Sequence, residues 1–126
     1  DQSRYTTYDL SDALLEGNLA QSIKIFQYLI GSGEPESLIL WTLSKEMRLL
    51  MQLFEQPHNA LQLGIWKTKV SLYQQALRRL NPQQFLGWSA LLLQIDAAIK
   101  GMSNENAQHL MQQAIAELCG KTLFIH

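Results

Sequence analysis

At 126 residues, 47% hydrophobic and 17% charged, the chain is too apolar for a disordered tail and suits one domain, residues 1–126, with a real core. A net charge of -1 excludes bulk electrostatic binding of nucleic acid or membrane. The single cysteine, Cys119, excludes an internal disulfide and a multi-cysteine zinc site. Such cysteine usage fits a reducing, cytoplasmic setting. No apolar run approaches the ~18 residues of a membrane span, and no signal segment opens the sequence. It begins at Asp1 rather than Met, which fits a piece excised from a longer chain.

Helical periodicity runs through the sequence. Residues 8–16 form a short amphipathic segment with Leu10, Ala13 and Leu14 on one side and Thr7 or Asp9 as cap. Gly17 ends it, and Asn18, with Gln21 three residues on, starts a second helix. That helix carries Leu19, Ile23, Phe26 and Ile30 as a stripe and stops at Gly31 and Gly33. Pro35 suits the first turn of a third helix, with Glu34 and Glu36 at its positive end. Between residues 38 and 54, 11 of 17 positions are apolar, more than one stripe needs, so this helix is expected at the centre with neighbours on several sides. Residues 60–65 suggest a turn of helix. Trp66, Val70, Tyr73, Leu77 and Leu80 then make a fourth stripe, and Asn81-Pro82 opens a fifth with Phe85, Trp88, Leu92, Ile95 and Ile99. Gly101 ends it. Ser103 or Asn104 opens the last, which carries Ala107, Leu110, Met111, Ala114, Ile115 and Leu118 to Gly120. The reading is all-α: a compact bundle of five main helices plus a possible short sixth near residue 61.

Catalytic and cofactor signatures are absent from the sequence. It has no phosphate-cradling glycine loop, no HExxH and no Cys/His metal spacing. His58, His109 and His126 read as surface residues, and Cys119 as a buried, inert thiol. The acidic pairs Asp9/Asp12 and Glu34/Glu36 sit where helix N-termini favour negative charge. One stretch stands out electrostatically. Residues 56–95 contain Lys67, Lys69, Arg78 and Arg79 and no acid, a formal +4 that leaves -5 for the rest. Lys67 and Arg78 share one helical line opposite the apolar stripe, and Arg79 points to one side. A solvated face, an acidic partner and nucleic-acid phosphates all fit. Trp41, Trp66 and Trp88 each lie within a helical pattern, as core or interface residues.

Several runs are familiar together. Residues 12–17 (Asp-Ala-Leu-Leu-Glu-Gly) lead into a helix followed by Gly33-Glu34-Pro35, then a leucine-rich helix with Arg48-Leu49-Leu50. Ala76-Leu77-Arg78-Arg79-Leu80, Asp96-Ala97-Ala98-Ile99-Lys100-Gly101 and Glu117-Leu118-Cys119 follow. This order resembles the C-terminal domain of the delta subunit of bacterial DNA polymerase III, across nearly the whole chain. The resemblance implies a helical collar domain of the clamp loader, with neither a nucleotide-binding motif nor a cofactor. Its partners would be the equivalent domains of gamma/tau and delta-prime, closing a five-subunit ring. The sliding clamp would be met only by an N-terminal domain outside this sequence. Partner-interface candidates are Trp41, Arg48, Arg78 and Arg79. Primer-template DNA would be met weakly or indirectly, with Lys67, Lys69 and Lys100 as candidate backbone contacts. The loop at residues 100–104 carries no aromatic residue, so base stacking there is not expected.

The expected function is therefore non-catalytic subunit assembly. The alternative is an independent nucleic-acid-binding helical domain that uses the basic segment 67–79. A small all-α enzyme or ligand carrier has no residue set to support it.

Overall fold

A computed structural model describes residues 4–121, and every regular element among them is helical. Six helices follow in order: α1 (Thr7–Glu16), α2 (Leu19–Gly31), α3 (Glu36–Glu55), α4 (Val70–Arg79), α5 (Phe85–Ile99) and α6 (Ala107–Leu118). Short 3-10 turns, Lys67–Lys69 and Pro82–Gln84, lead into α4 and α5. The all-α bundle of the sequence reading stands, but its count changes. The opening segment is a full helix, and the extra helix near residue 61 is a run of turns. There Leu63 N donates to Asn59 O and Ile65 N to Ala60 O, both at 3.0 Å, and Gly64 at φ 91° leads the chain out of helical geometry. His126 and the tail it ends lie outside the described residues.

The caps show how local chemistry fixes these boundaries. Asn18 Oδ1 accepts from Gln21 N at 3.0 Å, as the sequence predicts. At α1 the cap is Thr6, one residue before the expected Thr7. Asp9 is its reciprocal partner: Thr6 N donates to Asp9 Oδ2 at 2.7 Å, and Asp9 N donates to Thr6 Oγ1 at 3.4 Å. Pro35 stands at the cap of α3 rather than inside its first turn. The cap of α6 is Asn106, beyond the expected Ser103 or Asn104, with its Oδ1 3.0 Å from His109 N. Asn81 caps the turn before α5 as expected, and its own N–H donates to Gln84 Oε1 at 2.9 Å.

The long helix α3 is central, packing on α1, α4, α5 and α6. Its inner arc is Ile39, Leu43, Met47, Leu50 and Leu53, all essentially closed to solvent. Across from it α6 contributes Met111, Ala114, Ile115 and Leu118. Each of the leucine, isoleucine and methionine side chains among these stabilises the fold by roughly 1.5–3 kcal/mol on burial. The expected α2 stripe is rotated. Ile25, Phe26 and Leu29 are buried, whereas Leu19, Ile23 and Ile30 are half-buried, because α2 wedges between α1 and α6 along the Phe26–Leu29 line. Trp88 fills the core between α5 and α6, and its Nε1 donates to Glu117 Oε1 at 3.0 Å, which also accepts from Gln84 Nε2 at 2.9 Å. Gln108 Nε2 ties α6 to α3 through Glu36 Oε2 at 3.1 Å.

Candidate functional site

A cleft of about 450 Å³ opens between α1, α3, the start of α4 and the loop before it. Its floor is polar. Glu46 is 1% exposed, although it sits in the middle of the Ile39–Leu43–Leu50–Leu53 arc of α3. Ser11 Oγ donates to Glu46 Oε2 at 2.6 Å, the Tyr73 hydroxyl donates to Oε1, and Lys45 Nζ lies 3.3 Å from Oε2. Three helices thus converge on one buried carboxylate whose oxygens are both engaged. Burial, followed by the charge of Glu46, pushes the Tyr73 phenol far above its ordinary range. At the rim, Lys69 Nζ grips both oxygens of Asp12, at 2.9 and 3.1 Å. Lys45 also sits over two rings, 5.3 Å from the Trp41 centroid and 5.9 Å from that of Tyr8.

The sequence-predicted site residues fall into separate places. Trp41, 59% exposed, and Arg48 lie on the outward stripe of α3, where Arg48 Nη1 donates to Gln52 Oε1 at 3.3 Å. Lys45 joins this stripe to the cleft rim, so Trp41 and Lys69 flank the same region. Trp66, 71% exposed, does not begin the core stripe of α4; it projects from the loop beside exposed Lys67. Arg78 is exposed on the last turn of α4. Arg79 turns the other way: Nη2 donates to Leu15 O at 2.6 Å, and the guanidinium lies against Gly17. Lys100 is far from these, at the end of α5, paired with Asp96 at 2.8 Å. Cys119 is buried beside Ser22, and burial pushes its thiol up.

Sequence reading missed the floor of the cleft. Its signal was a glutamate placed mid-stripe among leucines, where a carboxylate must find partners. It also missed the outer face of α5, where Leu86 is 86% and Leu93 70% exposed. Their spacing with Ala90 and Ala97 makes a second apolar stripe. Between α3 and α5 a shallow groove is lined by Leu40, Ser44, Ser89, Leu92, Leu93 and Asp96. No group of acids, histidines and cysteines among the described residues has metal-site geometry, and no helix among them is long and apolar enough to cross a membrane.

Residues 5–118 match the family described as DNA polymerase III delta subunit, C-terminal domain. The chain belongs to that family. DNA polymerase III subunit delta of Escherichia coli (strain K12) is similar to it: 28% identical over 131 aligned positions, covering 99% of this chain. The chain spans 36% of that relative's length. The matched residues of the delta C-terminal domain take in all six helices, so both the cleft and the outer face of α5 lie within the family's own domain.

Proposed function

We propose that this domain is a non-catalytic assembly module of the bacterial clamp loader. It would hold delta in a five-subunit ring with gamma/tau and delta-prime, through their C-terminal domains, for sliding-clamp loading in the cytoplasm. The observation that carries the reading is the family assignment across residues 5–118. The shape is compatible with it, because assembly needs a rigid body with apolar surface left over. Trp41, Leu86 and Leu93 are among the large apolar side chains that stay exposed around a closed core. Trp41, Arg48 and Arg78 are the proposed partner contacts. Arg79, also a candidate, has its guanidinium engaged on Leu15, so its substitution would register in stability as well as in assembly. The clamp itself would be met by a domain outside this sequence.

The test is light scattering on a sizing column with the gamma/tau and delta-prime subunits of the same organism. A stoichiometric complex at moderate salt supports the reading, and Trp41→Ala with Arg48→Glu should weaken it. Failure to associate with either subunit would sink it.

A second reading, nucleic-acid contact through segment 67–79, is favoured by Trp66 standing exposed beside Lys67. It predicts DNA affinity that falls with salt at a slope of about -0.9 per phosphate neutralised. Trp66→Ala and Lys67→Glu would each reduce that affinity.

A further inference from the structure

We propose that the cleft between α1, α3 and the start of α4 is a receptor for an acidic peptide segment. One bulky apolar side chain of the peptide would sit between Leu15, Leu49 and Ile65, and its carboxylates would meet the cations of the rim. This goes beyond the assembly reading and rests on the chemistry of the cleft alone.

The walls call for an apolar anchor. At about 450 Å³ the cleft falls in the range of ligand pockets, roughly 300–1,000 Å³. Leu15, Leu49 and Ile65 line it. Below them both Glu46 oxygens are engaged, by Ser11 and Tyr73, so the floor asks no polar group of a ligand. The mouth is aromatic. Tyr8 and Trp66 line it and are 70% and 71% exposed. Lys45 lies over the ring of Tyr8 and also over that of exposed Trp41, which extends the same surface along α3. Large aromatics left in water beside an apolar pocket are the residues on which binding energy concentrates.

Charge selects the kind of peptide. Lys45 and Lys69 line the cleft and are matched by Glu46 and Asp12. Arg48 and Lys67 are surplus. Each stands next in sequence to a lining residue, Leu49 and Trp66, and neither forms an ion pair with an acid among the described residues. The mouth is therefore positive around an apolar well, which favours carboxylates flanking the anchor and opposes a basic segment. Nucleic acid fits less well. A base seated in the well would press its hydrogen-bonding edge against leucine and isoleucine and leave it unpaired.

Selection of displayed random peptides on the protein at its natural length tests this. Recovered sequences should place one phenylalanine, tryptophan or leucine among several aspartates or glutamates. A synthetic peptide of that composition is then titrated by fluorescence anisotropy. Exchange of its anchor for alanine should abolish binding. Trp66→Ala should weaken binding by about tenfold. Lys67→Glu should weaken it at low salt and much less at high salt, because exposed charges are screened. Lys24→Glu, on the exposed side of α2, should leave it unchanged. Circular dichroism confirms that each variant stays helical. Recovery of basic peptides, or of none, overturns the proposal. So does binding indifferent to Trp66→Ala, or a single-stranded oligonucleotide that binds where no peptide does. Ring assembly is read separately by light scattering. A protein that assembles but takes no such peptide loses this proposal and keeps the assembly reading, and the opposite pair of results does the reverse.

Discussion

The floor of the cleft and the outer face of α5 are both placed by leucine-rich helices, and they end in opposite states. At the cleft, α3 carries a carboxylate into the core, and α1 and α4 each deliver a hydroxyl to it: Ser11 and Tyr73 on Glu46. The polar group is satisfied inside the domain and asks nothing of a partner. Along α5, the inner side carries Trp88 into the core while the outer side leaves Leu86 and Leu93 in water. Burial in one fold is therefore no guide to where association will occur. Exposed apolar area is the better place to look, and it includes Leu86 and Leu93 on α5, Trp41 on α3 and Trp66 before α4.

Five substitutions or conditions break or sharpen this contrast. The largest effect is expected at the inner side of α5. Trp88→Ala removes the core's largest buried side chain and leaves Glu117 without its indole donor, a loss of about 4 kcal/mol in denaturant unfolding. Glu46→Ala should cost about 3 kcal/mol by the same measurement, since two buried hydroxyls lose their acceptor. Gly17→Ala comes next, at about 2 kcal/mol. Gly17 has φ 74°, and an added Cβ would collide with the Arg79 guanidinium, so the bond to Leu15 O should be disturbed as well.

The fourth concerns pH. The folded pKa of Tyr73 is raised, so its contribution is fully present below the ordinary phenol value of about 10 and is lost as pH rises above that value. Urea midpoints followed from about pH 9 to about pH 12 should fall more steeply for the wild type than for Tyr73→Phe. The smallest effect returns to α5. Leu86→Ser, on the solvent side of the helix that holds Trp88, should change monomer stability by no more than about 0.5 kcal/mol. A large loss there would mean that the outer face belongs to the monomer's own packing.

Much of the architecture was legible in sequence. The stops at Gly17, Gly101 and Gly120 all have positive φ, and Asn18 and Asn81 cap where expected, because capping is decided within three or four residues. The caps at Thr6 and Asn106 were misplaced because several adjacent Ser, Thr, Asp and Asn residues offer the same chemistry. Of the candidate site, the helical wheel already set Arg78 opposite the apolar stripe and Arg79 to one side. Only packing decided that Arg79's side faces Leu15.

By itself the sequence determined the helices, their approximate ends, the central position of α3 and the familial resemblance, since periodicity and capping are local properties of the chain. The tertiary structure alone decided which of three tryptophans is core, which carboxylate is buried and which apolar stripe is left open. Those outcomes depend on residues 27 to 35 positions apart meeting, as Tyr73 and Ser11 meet Glu46, and on how many neighbours each helix has to cover its sides. Beyond the mid-stripe position of Glu46, no local pattern carries that information.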